Sequence, residues 1–259
     1  MIELTEKLPP GALCDGGAGI LAGALGATGA LWWDGAGIVA DATGAVTHWP
    51  DRLGGLAARP TDPNTGNGLS GAAGDLVGLQ CREGLHCGLV AEDVARDAGM
   101  VSFAARYLPP WGDEAKTILT FNTGGGAKKS AGENYLYLSE AEGRVTVKDD
   151  KGLVELNLPA PAPEATRLVL VSLMRDRLCV AVLGGEEAEV KAKAPVLSGP
   201  GHLFFGCRNH RPGLTKTLGG ALIADVWFWP GRAILTPGGA EDRAALLALR
   251  RFHLWADAG

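Results

Sequence analysis

Two stretches of this chain alternate hydrophobic and polar positions with the period of two that marks half-buried strands. In 100–108, Val101, Phe103 and Ala105 share one face, and Arg106 falls on the other. In 134–139, Leu136 and Leu138 share one face while Tyr135 and Tyr137 take the other. Further short runs at near-regular spacing predict strands over 76–82, 116–122, 144–148, 153–158, 167–173, 178–183, 189–193 and 202–207, with turns rich in Gly, Pro, Asp and Asn between them. The runs 168–173 and 222–229 are apolar on both faces and read as interior strands, the second stopped by Pro230 and Gly231. Residues 90–96 read as a helical turn, and 60–74 as one long loop. Only 241–255 carries a clear helical pattern, with Leu246, Leu249 and Leu254 among its apolar positions and Glu241 and Asp242 in the first turn. These elements predict an all-β fold, an antiparallel two-sheet jelly-roll sandwich with a short helix near the C-terminus.

The N-terminal part has a different texture. Leu8-Pro9-Pro10-Gly11 is a breaker cluster, and the run GGAGILAGALGATGAL follows it. So much glycine predicts an irregular or extended path. The chain therefore divides into a Gly/Ala-rich segment, 1–28, and a sandwich domain, 29–259. The segment reads as a lead-in packed along the sandwich, with a docking role as the alternative. The first strand is expected at 30–34 (ALWWD), and Pro109-Pro110-Trp111-Gly112-Asp113 is expected to end the 100–108 strand.

Two stretches carry a family resemblance. Residues 41–55, DATGAVTHWPDRLGG, place a tight turn at Gly44, a short strand from Val46 to Trp49 and a second turn to Gly55, with Trp49 as a core anchor. Residues 219–255 place a strand, a Pro-Gly turn and a closing helix. Both resemble the ends of concanavalin A-like (laminin G-like) β-sandwich modules, and the middle of the chain matches only in style. The resemblance implies the sandwich fold and recognition of sugars or surfaces.

Composition narrows this further. With 259 residues, 46% of them hydrophobic, the chain can bury a large core without metal or disulfide staples. A net charge of −5 is not the footprint of a nucleic-acid binder. Five cysteines (Cys14, Cys81, Cys87, Cys179 and Cys207), odd in number and widely spaced, read as reduced and mostly buried thiols. Glu3 and Glu6 precede any apolar run, so a signal peptide is not expected. The apolar run 19–33 is too short and too broken by glycine to span a bilayer. A soluble protein made in the cytoplasm is expected, without membrane insertion.

No catalytic set emerges. The carboxylate pairs Glu140/Glu142 and Glu187/Glu189 lack the third acid that glycosidase strands of this fold carry, and they read as solvated turn charges. Gly17-Ala18-Gly19 superficially matches a dinucleotide fingerprint but has no strand before it. Cys81, His86, Cys87, Cys207 and His210 offer zinc-type donors at a spacing that is not a standard motif, and buried thiols are the preferred reading. Asp62, Asn64 and Asn67 offer oxygen ligands of the kind calcium takes, off the EF-hand register. Otherwise no cofactor is expected.

The candidate ligand residues are Arg106, Trp111, Asn122, Tyr135, Tyr137, Arg208, Asn209 and His210. Outward rings beside amide and guanidinium donors are what a saccharide site needs. The expectation is a non-catalytic, lectin-like module for cell-surface polysaccharide, as a spike or fibre component of a phage-like particle, with oligomerisation and a particle partner on residues 1–28 left open. A structural protein using the sandwich for protein contacts is the alternative, ahead of a glycan hydrolase or lyase.

Overall fold

A computed structural model describes residues 17–64, 68–111, 115–124, 133–161, 165–211 and 218–256. Two antiparallel sheets face one another. The first runs β15 (Glu187–Lys191), β14 (Arg177–Val182), β13 (Arg167–Met174), β8 (Met100–Trp111), β17 (Gly220–Pro230), β6 (Leu76–Cys81) and β5 (Leu69–Ala73), with β1 (Leu31–Asp34) also paired to β17. The second runs β12 (Glu155–Pro159), β11 (Arg144–Asp149), β10 (Tyr135–Ala141), β9 (Lys116–Asn122), β16 (Gly201–Phe205), β7 (Leu89–Ala95), β4 (Ala57–Pro60), β3 (Val46–Pro50) and β2 (Val39–Ala40). The all-β sandwich read from the alternation is the fold observed. Its core lies between the sheets and includes Trp33, Trp49, Phe103, Phe121, Leu136, Leu138, Phe205 and Phe228.

The first sheet carries a second apolar layer on its outer face. Helix α2 (Ala240–Ala256) buries Ala245, Ala248, Leu249 and Phe252 there. Phe252 meets the edges of Trp32 and Trp227 at ring-centroid distances of 5.6 and 6.1 Å. Leu254, expected to be buried, is 62% exposed, and the side chain of Trp255 is outside the described residues. Helix α1 (Ala18–Thr28) packs on α2 and corrects the expectation of an irregular glycine run. Leu21, Leu25 and Thr28 fall on one helical face and are buried, while Gly19, Gly23 and Gly26 take the exposed face. Each glycine costs the helix about 1 kcal/mol against alanine, and burial of two leucines is worth roughly 1.5–3 kcal/mol each. Gly29 closes the helix in the left-handed conformation (φ 67°), its N–H donating to the Gly26 carbonyl.

Other differences follow from tertiary pairing. Residues 90–96 lie in strand β7, not a helical turn. A bulge puts Ala91 and Ala95 opposite Leu203 and Gly201, and Asp93 sits in it with φ 53°. Across the bulge Val90 packs with Phe204 on the outer face, while Val94 enters the core between the sheets. Strand β5 lies inside the segment read as one long loop. Strand β8 continues through Pro109 and Pro110 to Trp111 because its β13 neighbour ends opposite Tyr107. Beyond that point one edge needs no ladder donors, so proline is tolerated.

Glu140 was expected to be a solvated turn charge. It is buried and joins the sheets, its carboxylate accepting from Tyr107 Oη at 2.7 Å and from Arg167 Nε at 3.3 Å. Burial, then the Glu140 carboxylate, holds the Tyr107 hydroxyl well above the usual range. Glu142, Glu187 and Glu189 are exposed.

Candidate functional site

The second sheet's outer face is built by strand parity. With Leu136 and Leu138 in the core, Tyr135 and Tyr137 project outward from β10 and are half-buried. The register sets Tyr137 opposite Thr120 on β9, Thr120 opposite Phe204 on β16, and Phe204 opposite Val90 on β7. A second row sets Tyr135 opposite Asn122, and Asn122 opposite His202. Residues facing each other across antiparallel strands share a face, so both rows line the outer surface. The two tyrosine rings lie 6.1 Å apart at 50°.

Residues 206–211 fold across this surface. The Thr120 hydroxyl donates to the Cys207 carbonyl and the Asn122 amide to the Arg208 carbonyl, each at 3.0 Å. The Arg208 guanidinium stacks 3.7 Å over the Tyr137 ring, and its Nε donates to Thr117 Oγ1 at 3.1 Å. The His210 ring meets the Phe204 ring edge-on at 5.3 Å. Asn209 Oδ1 accepts from the Arg211 N–H at 2.9 Å, which tightens the turn. Burial, then a hydrogen bond with Asp150, pushes the Tyr135 hydroxyl up to about 12, with Arg208 working in the other direction.

Two hollows flank this loop. One, lined by Asn122, Asn134, Tyr135, Asn209 and Arg211 among others, has about 10 Å³, room for a single water. The other is a groove of about 330 Å³ lined by Leu56, Ala57, Arg59, Pro60, Asp62, Val90, Glu92 and His210. That volume reaches the lower end of the range for small-molecule sites.

Six of the eight candidate residues therefore meet on one surface: Asn122, Tyr135, Tyr137, Arg208, Asn209 and His210. Asn122 is 5% exposed, with both ends of its amide committed, Nδ2 to Arg208 and Oδ1 to the Gly124 N–H. It positions the loop, and little of it faces the hollow. Arg106 does not join the group. It leaves the opposite sheet on the outer side, as its phase predicts, but α2 covers it. There its Nε donates to Asp225 Oδ2 at 2.7 Å, and its guanidinium lies 5.1 Å from the Phe252 ring centre. Trp111 ends β8 in that same opposite sheet, paired with Gly220, and its side chain is outside the described residues. Sequence reasoning missed Thr117, Thr120, Phe204 and Asp150, whose roles depend on cross-strand register.

The metal candidates separate as well. Among the described residues, no three His, Cys, Asp or Glu side chains are grouped to hold a metal ion. Cys81, Cys87 and Cys207 are buried free thiols, and Cys87 faces the Lys116 ammonium. A cation in that place works against zinc. The Asp62 N–H donates to His210 Nδ1 at 3.5 Å, and the Asn64 amide donates to the Gly88 carbonyl at 2.8 Å. Asn67 and Cys14 lie outside the described residues. No described helix is long and apolar enough to cross a membrane.

The fold defines a two-sheet antiparallel sandwich with one helix-covered and one loop-crossed face. No protein-family model matches the chain, and no curated protein matches it in sequence. Solved structures resemble it in fold. Trypanosoma rangeli sialidase in complex with sialic acid aligns with a TM-score of 0.54 at 14% identity, over 86% of this chain and 33% of the sialidase. The same enzyme in complex with 2,3-difluoro-KDN gives 0.53 at 13% identity. The binding domain of botulinum neurotoxin DC in complex with SialylT gives 0.51 at 8% identity, over 78% of this chain and 48% of that one. The chain thus spans about a third of the sialidase it resembles, and the similarity is one of fold.

Proposed function

We propose that this protein is a non-catalytic carbohydrate-binding module of the concanavalin A-like type, and that it holds a surface polysaccharide on the outer face of its second sheet. One observation carries the reading. Tyr135, Tyr137 and the 206–211 loop converge on the sheet face that neither described helix covers. Aromatic rings and a guanidinium plane offer a sugar its stacking surface, and the loop's polar groups offer hydrogen bonds. Arg208 covers one face of Tyr137, so a sugar would contact Tyr135 and the groove beside His210 before the Tyr137 ring. The solved structures of similar fold add support, because their complexes include sialic acid and SialylT.

A glycan array with and without calcium tests this. The expected result is retention of a defined glycan class, with Tyr135→Ala cutting binding about tenfold or more, the loss of one good contact, at an almost unchanged melting temperature. Absence of binding to any glycan overturns the reading. An assembly role is the second reading, and the exposed Ile20, Leu247 and Leu254 on the helical layer favour it.

A further inference from the structure

Cys81, next in the chain to the exposed Arg82, Glu83 and Gly84, belongs to a buried cluster that the proposed function leaves unused. Cys81 ends β6, Cys87 precedes β7, Lys116 opens β9 and Cys207 follows β16, and all four are buried. Lys116 Nζ donates to Cys87 Sγ at 3.1 Å. Cys81 and Cys87 hydrogen-bond to one another. Both sulfurs flank Gly206: a Cβ there would stand 3.0 Å from Cys81 Sγ and 3.4 Å from Cys87 Sγ.

An ammonium buried this completely is costly unless an anion faces it. The hydrogen bond from Cys81, then the Lys116 charge, overcomes burial and holds the Cys87 thiol below its usual range, whereas burial pushes Cys81 and Cys207 up. Burial disfavours the Lys116 ammonium, and the surrounding sulfurs more than offset it. A thiolate is the reactive form of cysteine, and a thiol in contact with it is placed to resolve its oxidised product.

We infer that Cys81 and Cys87 form a reversible two-electron oxidation site, a dithiol that closes to a disulfide when hydrogen peroxide reaches it, with Lys116 as its proton donor. The Cys87 sulfur attacks one peroxide oxygen and the O–O bond breaks. The departing hydroxide takes a proton from the Lys116 ammonium and leaves as water, and Cys87 becomes a sulfenic acid. The Cys81 sulfur then attacks the Cys87 sulfur. The S–O bond breaks, and the oxygen leaves as a second water with the Cys81 proton. Two cysteines lose two electrons, one peroxide becomes two waters, and the thiolate–ammonium pair becomes a disulfide beside a neutral amine. The site starts and ends without net charge, as a low-dielectric interior requires. A dithiol reductant reverses the step. None of this rests on the glycan reading.

The test uses the full chain, reduced and then titrated with hydrogen peroxide. Peptides are mapped without reduction after alkylation of the remaining thiols. The expected product is a Cys81–Cys87 cross-link, a mass loss of about 2 Da, reversed by dithiothreitol, with Cys179 and Cys207 still alkylated. The oxidation rate should inflect with pH below the ordinary thiol range in the native chain. In Lys116→Met the inflection should move up toward the ordinary thiol range of about 8.5. Should Lys116→Met not fold, Cys81→Ser must trap Cys87 as a sulfenic acid that dimedone labels. A cross-link to Cys207, a Cys87 that stays alkylatable, an inflection unmoved by Lys116→Met, or no dimedone adduct in Cys81→Ser overturns the inference.

Discussion

Arg106 shows how far one side chain's fate depends on what lies above it. Alternation correctly turns it away from Val101 and Phe103, yet it is 9% exposed, because α2 closes over it. Its partner Asp225 is buried more deeply, and burial raises that carboxyl in spite of the Arg106 charge. Asp225 Oδ1 also accepts from Trp32 Nε1 at 3.0 Å. The pair therefore ties β8, β17 and β1 together beneath the helices. Arg106→Ala should cost about 3–5 kcal/mol in urea unfolding, since it strands a buried carboxyl, while glycan binding by the folded fraction stays unchanged. A loss below about 1 kcal/mol, the worth of an exposed pair, would show that water reaches Asp225.

At the scale of elements, strands were legible where one face is dry and the other wet. Tyr135 and Tyr137 point outward for the reason their alternation gives, with Leu136 and Leu138 between the sheets. Legibility failed where packing outweighed propensity. Helix α1 holds three exposed glycines that any propensity scale counts against it, and its buried Leu21 and Leu25 join an apolar cluster with Trp32, Trp227 and residues of α2 that lies far away in sequence. Residues 90–96 did not read as a strand because a bulge breaks the alternation there and puts Val90 and Val94 on opposite faces. The site was half readable for the same reason. Outward rings follow from parity, but the meeting of Thr120, Phe204 and Tyr137 depends on which strands pair, and spacing along the chain does not encode that. If α1 is integral, Leu25→Ala should lower stability by about 2–5 kcal/mol. Ile20→Ser, on the exposed side of the same helix, should stay within about 0.5 kcal/mol. Equal and small effects in thermal melts would mark α1 as an appendage.

Across the whole molecule, the two outer surfaces have divided their tasks. One sheet is roofed by helices over Trp32, Trp227 and Trp229, and the other is left to a loop and two tyrosines. The contact that joins the sheets, Tyr107–Glu140–Arg167, has a consequence for alignment. Greasy layers attract wherever they overlap and would let one sheet slide over the other, whereas a carboxylate held by a phenol on β8 and a guanidinium on β13 fits at a single offset. Replacing all three with apolar residues of similar volume (Tyr107→Phe, Glu140→Leu and Arg167→Met) should leave the melting temperature unchanged or higher. The same variant should broaden the amide spectrum of β10, as the sheets sample neighbouring offsets. A sharp spectrum in that variant would show that side-chain shape alone sets the alignment. The broad spectrum is the expected outcome, that of a dowel which adds little to the strength of the joint and determines where the two halves meet.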